Sequence, residues 1–466
     1  MTLASNRLSA PNSLEAKDVA YLVHPYTNLR AHEQQGPLVI VRGEGIRVWD
    51  LDGKEYIEGL SGLWCASLGF SEKRLVEAAR RQMERLPYTH TFAHRSSEPV
   101  IALAERLVAL APPPIAKVFF VNSGSEAIDT AIKLVWYYNN ARGRPEKKRI
   151  IGRRRAYHGI TLAAGHLTGL PYARVGFDLP MSDRFFHVTC PSLYREGLPG
   201  EDEEAFADRL AAEIETVIRA LGPETVAAFF AEPVMGAGGV VVPPASYFRK
   251  IQPILERYDV LMVADEVICG FGRTGNMWGC DTFGIRPDLV ICAKQLSAAY
   301  VPIAAVLMSR DFYEVIADQS ARLGTLGLGY TYSGHPVAAA VALATLDIYE
   351  TDRILDHVRA VAPRFQARLA RLADHPLVGE ARGIGLIGGL EIVEDKRSKR
   401  QFPQEAKAAV RIVGKILEQG LILRPLPGDV IGICPPLIVT ESEIDELFDR
   451  LERGLDAALP AMAEAA

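Results

Sequence analysis

Four short apolar runs in the middle of the chain each end in a residue that can do chemistry. Residues 118–121 lead into Ser123-Gly124-Ser125, 226–230 into Glu232, 260–264 into Asp265, and 289–292 into Lys294. Small hydroxyls and a glycine at a helix start offer a phosphate their backbone N–H groups, side-chain donors and the positive end of the helix dipole. A buried carboxylate can keep a pyridine nitrogen protonated. A lysine amine can condense with an aldehyde to give a Schiff base. Any one of these is ordinary: a lysine at a strand end is usually a solvated surface group.

Together they specify a chemistry. In open α/β sheets ligands bind beyond the carboxyl ends of the strands, so four strand ends deliver these groups to one edge. Phosphate cup, carboxylate and lysine are the three anchors of pyridoxal phosphate, whose ring acts as an electron sink. Tyr157, in Ala-Tyr-His-Gly after the strand-like 149–152, can stack on one face of the ring, and Val267 can pack on the other. Competing motifs fail on context. Two segments match GxGxxG, at 270–275 and 383–388, but neither opens a helix after a strand, so no dinucleotide cofactor is expected. His90 and His94 have no HExxH or third ligand, so no metal site is expected, and no GxSxG nucleophile elbow is present.

The elements that must position these groups follow from periodicity. Short strands rich in β-branched and aromatic residues alternate with amphipathic helices, which means a mostly parallel sheet covered on both faces. Ser71 is expected to cap a helix with Leu75, Ala79, Met83 and Leu86 on one face, and Ser123 to form a capping box with Glu126. Thr440 and Glu443 cap a last helix in the same way. The expected organisation is a large domain over 71–335 and a smaller α+β domain over 336–466. Residues 1–70, with strand signals at 38–42 and 47–50 and no helix of their own, should pack with the small domain. The 466 residues are 48% hydrophobic and 23% charged, which excludes whole-chain disorder and coiled coil. A net charge of −5, evenly interspersed, attracts neither nucleic acid nor an anionic membrane. The longest weakly polar run, 337–346, is shorter than the ~20 residues a bilayer requires. The N-terminus has no secretory pattern, and the six cysteines are scattered without a CxxC pair. The expected location is the cytoplasm.

Leu-Met-Val-Ala-Asp-Glu-Val-Ile-Cys-Gly-Phe-Gly-Arg-Thr-Gly (261–275), with Lys294 following Asp265 by 29 residues, resembles the class III pyridoxal-phosphate aminotransferases. Asn-Ser-Gly-Ser-Glu-Ala, Tyr-His-Gly, Ala-Glu-Pro and Thr-Tyr-Ser-Gly-His-Pro336 extend the resemblance over nearly the whole chain. It implies a fold-type I transferase, a large domain built on a mostly parallel sheet plus a smaller α+β domain. It further implies Lys294 as the Schiff-base lysine and Asp265 on the pyridine nitrogen. Ser123, Gly124 and Ser125 would form the phosphate cup, with Tyr157, His158, Val267 and Glu232 around the ring. Tyr330 and Thr331 would reach the phosphate of a neighbouring subunit, which makes a homodimer, or a dimer of dimers, the active form. Leu60-Ser-Gly-Leu-Trp-Cys65 and the arginine of Arg424-Pro-Leu-Pro-Gly-Asp look like the pocket segments of ω-amino acid (amine):pyruvate transaminases. Trp64 would wall the pocket, and Arg424, read as a loop residue from Pro425, Pro427 and Gly428, would swing in to pair a keto-acid carboxylate. Two departures stand out: Gln295 where many relatives have glycine, and a longer stretch after Arg424. The implied reaction moves an amino group from an amine donor to a keto acid. A decarboxylase or aminomutase on the same scaffold, a nucleotide-dependent oxidoreductase and a binding protein are the alternatives.

Overall fold

The structure, a computed structural model, describes residues 12–464 together with Leu8 and Ala10. Seven strands form the central sheet: β4 (Ile115–Val121), β5 (Arg149–Arg153), β6 (Phe185–Val188), β7 (Val226–Ala231), β8 (Leu261–Asp265), β9 (Leu289–Cys292) and β10 (Ala304–Ser309). Their spatial order is β4-β10-β9-β8-β7-β5-β6, all in one direction except β10, which is antiparallel to both its neighbours. Successive residues point to opposite faces and both faces are buried. Phe229 joins one core and Phe230 the other, which is why these strands read as continuous apolar runs. The helix Gly124–Ala141 fills one face with Ile128, Ala131, Ile132 and Val135; Glu203–Leu221 and Tyr247–Arg257 contribute to the other.

Two four-stranded sheets flank this core. One holds β1 (Ile40–Glu44), β2 (Arg47–Asp50) and β3 (Glu55–Glu58), with β13 (Leu421–Ile422) added in parallel through Leu421 opposite Ile57. Early residues thus share a sheet with late ones. The other is antiparallel, in the order β11 (Val378–Ile384), β12 (Ile387–Ile392), β15 (Val430–Ile433) and β14 (Arg424–Leu426). The second GxGxxG segment is the β11–β12 hairpin, with Gly383 opposite Gly388, so it could never cradle a dinucleotide. Among the described residues, no helix is long and apolar enough to cross a membrane, and all six cysteines are free.

Four local expectations are corrected. Residues 1–70 do contain helices, Leu14–Tyr21 and Leu29–Gln35, capped by the side chains of Ser13 and Asn28. They bury almost nothing, only Glu15, so they carry no apolar stripe to read. The helix after residue 71 is capped by Glu72, not Ser71, and Met83 is 55% exposed. Ser123 accepts from Glu126 N, but Glu126 Oε2 reaches past it to the backbone N–H of Asn122 (2.8 Å), leaving the capping box open. The box at Thr440 and Glu443 does close. Arg424 begins β14 opposite Gly432; the turn of Pro427 and Gly428 lies beyond it.

Candidate active site

The parallel register sets the site. Ala231 of β7 pairs with Ala264 of β8, and Asp265 pairs with Ile291 of β9, so Glu232, Asp265 and Lys294 emerge side by side. β4 ends at the same edge, bringing Ser123, and the loop after β5 brings Tyr157 and His158. All nine residues expected around a cofactor within one subunit (Ser123, Gly124, Ser125, Tyr157, His158, Glu232, Asp265, Val267 and Lys294) line a single cavity of about 140 Å³.

Asp265 is buried and held at both oxygens. His158 Nδ1 lies 2.7 Å from Oδ2, and the backbone N–H of Val267 donates to Oδ1 at 3.1 Å. An acceptor carboxylate puts the imidazole proton on Nδ1, and His158 Nε2 is then left buried without a partner. Glu232 is buried too, accepting from Tyr157 N and Gly236 N at 3.0 Å each. Burial pushes its carboxyl above the ordinary range; His158 pulls the other way and Asp265 adds to the rise.

Lys294 stands in the left-handed region at φ 48°, a conformation that costs a residue with a side chain about 1–3 kcal/mol. Its Nζ sits 5.6 Å from the centre of the Trp64 ring and takes no hydrogen bond among the described residues. Burial pushes its ammonium below the usual lysine range, although Cys65, Asp265 and Glu232 oppose this. A neutral amine is both a nucleophile and a base. At the other end of the cavity, the N–H groups of Gly124 and Ser125 start a helix and have no acceptor among the described residues. Gly159 closes over this corner. At φ 111°, with a Cβ that would fall 2.5 Å from Ser125 Oγ, only glycine can pass there.

Trp64 and Arg424 lie beside the cavity. Arg424 is 5.5 Å from the Trp64 ring and 5.9 Å from that of Tyr26, without an ion pair among the described residues. It faces an adjoining chamber of about 1070 Å³ lined by Tyr26, Tyr172, Phe177 and Leu426. Tyr330 and Thr331 are not brought to this cavity. Tyr330 bonds the Thr130 hydroxyl at 3.0 Å, and exposed Thr331 accepts at its carbonyl from Tyr88. The sequence reading missed Tyr26 and Glu58 and marked Gln295 only as a departure from relatives. Tyr26 donates to the Tyr157 hydroxyl at 3.2 Å, from a segment with no readable pattern. Glu58 is buried, accepts from Leu60 N at 3.1 Å and is pushed up to about 7 by burial. Gln295 uses its whole carboxamide on the segment after Asp265, donating to Ile268 O and Gly270 O at 2.7 and 2.8 Å.

The donor set fits pyridoxal phosphate: amides without an acceptor among the described residues for a dianion, a fixed acceptor carboxylate for a ring N–H, and a lysine amine whose charged form burial disfavours for an aldehyde. The class-III aminotransferase family model matches residues 29–455. The chain belongs to the class-III aminotransferases. It is 48% identical to gamma aminobutyrate transaminase 3, chloroplastic, of Solanum lycopersicum, over 97% of this chain and 88% of that protein. It is 49% identical to gamma-aminobutyrate transaminase 1, mitochondrial, of Oryza sativa subsp. japonica, over 92% and 83%. The omega transaminase from Pseudomonas jessenii in complex with PMP superposes with a TM-score of 0.95, at 52% identity over 97% of this chain and 100% of that one. As a class-III aminotransferase this chain has the fold-type I architecture and uses pyridoxal 5'-phosphate to move amino groups between small amines and keto acids.

Proposed function

We propose that the enzyme takes the amino group of an ω-amino acid or simple primary amine and gives it to pyruvate, forming alanine and an aldehyde or ketone in two half-reactions. The observation that carries this is Arg424: a cation without an ion pair among the described residues, on the wall of a largely apolar chamber next to Lys294. One pocket must accept an amine without an α-carboxylate and then a keto acid that has one. An arginine stacked on Trp64 and Tyr26 can pair a carboxylate or rest on the rings when a neutral group enters. The curated relatives named for gamma-aminobutyrate, itself an ω-amino acid, support this donor class.

In this reading Gly124 and Ser125 would hold the phosphate, Tyr157 and Val267 the faces of the ring, and Asp265, fixed by His158, the ring nitrogen. When bound, pyridoxal phosphate supplies an aldehyde and an electron-withdrawing ring. Lys294 would hold the aldehyde carbon through its amine and, as a free amine, would move the donor's carbon-bound proton across to that same carbon, the reverse shift serving the other half-reaction. Tyr330 and Thr331, lying outside the cavity of their own chain, serve the site of a second subunit in a homodimer or dimer of dimers. Steady-state kinetics of Arg424→Ala with pyruvate, alanine and an arylalkyl amine test the substrate assignment. KM for the two carboxylates should rise about 10- to 100-fold, the worth of a charged hydrogen bond, with little change for the amine. Equal losses for all three would sink it.

A further inference from the structure

Arg273 is the third largest fully buried side chain, with no exposed surface and no carboxylate partner among the described residues. A guanidinium cut off from both water and a counter-ion is expensive, so its position calls for a reason. Its Nη1 donates to two backbone carbonyls, Leu386 O at 3.0 Å and Pro435 O at 2.6 Å. Its Nη2 lies 3.4 Å from Ser61 Oγ and 3.4 Å from Gln295 Oε1. Nε has no partner.

The last two contacts join two strained turns. Ser61, Gly62 and Trp64 all have positive φ (51°, 65° and 57°), and this turn presents the Trp64 ring to Lys294. Gln295 follows Lys294, itself at φ 48°, and its amide nitrogen is already bonded to the segment leaving Asp265. One guanidinium therefore touches both the turn carrying the pocket wall and the turn carrying the amine, and is anchored to two fixed carbonyls. Strained backbone persists only where its surroundings over-determine it.

We propose that Arg273 is a positioning residue that holds the Trp64 turn and the Lys294 turn in fixed relation, and so sets the gap in which the substrate is seated. It touches no reacting atom; it acts through Ser61 and through Gln295. This rests on Lys294 and Trp64 being the amine and the wall of the active site. Lys294→Ala, run in parallel, checks that premise separately: full turnover without Lys294 would remove the premise, whatever the Arg273 variants do.

The test uses the holoenzyme of Arg273→Met, Arg273→Lys, Ser61→Ala, Gln295→Ala and the Ser61→Ala/Gln295→Ala double variant, with thermal unfolding to score folding. A misplaced reacting group is worth up to ~100-fold in rate, so Arg273→Met should lose about 10- to 100-fold in kcat per folded site, more than it changes KM. Arg273→Lys, which keeps the charge but not the fork, should recover little of it. A role confined to stability would lower the melting temperature and leave kcat per folded site intact, which overturns the proposal. Should Arg273→Met fail to fold, the double variant decides. Losses in kcat should be less than multiplicative if both arms act through one guanidinium, and independent, multiplicative losses would overturn the proposal. A second readout needs no turnover. The emission of Trp64 in cofactor-free protein, isolated by subtracting Trp64→Phe, should shift in Gln295→Ala, whose side chain reaches the Trp64 turn only through Arg273; an unshifted Gln295→Ala spectrum counts against the coupling.

Discussion

Two clusters of buried charge lie in this molecule, and they are built on opposite terms. Glu391 on β12 is fully buried, with Arg195 Nε 2.6 Å from one oxygen and Arg382 Nη1 2.6 Å from the other. Burial alone would raise its carboxyl, but Arg382 and Arg195 bring it below the ordinary range. Arg382 spends its remaining donors on Glu380 and on the carbonyls of Gly239 and Val240. At the strand ends, by contrast, the charges are left partly unanswered. Glu232 is raised, Lys294 is lowered, and among the described residues His158 Nε2 has no partner and two helix N–H groups have no acceptor. At Glu391 paired charge fixes the structure; at the strand ends unpaired groups await a ligand.

The contrast can be broken by mutation, most severely at the amine. Lys294→Ala should lose at least ~10⁴-fold in turnover, about 5 kcal/mol of barrier, while the melting temperature of the cofactor-free protein stays the same or rises because an isolated buried amine is gone. A melting temperature that falls along with activity would put Lys294 in the structural class. Glu391→Gln should do the reverse. Removing one partner of a buried pair costs about 3–5 kcal/mol of stability, read by urea unfolding, with kcat per folded molecule intact. Next comes a histidine with a satisfied hydrogen bond. His187 Nε2 bonds Leu167 O at 2.8 Å, and burial lowers the ring to about 4 from 6.5. The unfolded chain protonates first on acidification, so stability should fall from about pH 6.5 downward. The loss should be complete below pH 4, on the order of 3 kcal/mol. His187→Gln, which keeps a donor and cannot titrate, should flatten that part of the urea-stability profile. The smallest effect is expected at Thr331→Ala, where the proposed hydrogen bond to a phosphate across subunits would be worth ~1.5–3 kcal/mol. Cofactor should leave this variant more readily on dilution, followed by its visible absorbance, and indifference would place the phosphate wholly within one subunit.

What could be read from the residues alone follows the same division. The central strands were legible because both faces are buried, so their ends, and with them Ser123, Glu232, Asp265 and Lys294, stood out against apolar runs. The helices Leu14–Tyr21 and Leu29–Gln35 were not legible, since a helix that buries nothing leaves no period. Arg424 was read as a loop residue because prolines follow it, but Pro425 sits in the short outer strand β14, where a missing N–H is tolerated. The relation of His158 to Asp265 and the junction at Arg273 depend on contacts across more than a hundred residues, which no local pattern encodes. Gln295 had a signal, as a departure from relatives, but only the fold shows what its carboxamide binds.

The reversed strand β10 carries a lesson for anyone wishing to transplant this chemistry. Because it runs back beside β9, with Ala305 opposite Cys292, the connection that opens with the 3-10 turn Lys294–Ser297 is closed by paired strands on both sides. The portable unit is therefore a clamped hairpin, not a reactive residue on a loop. A scaffold offering only parallel strands could display the lysine but would not hold its backbone in the left-handed turn, and lengthening this connection would loosen the amine before it disturbed anything else in the protein.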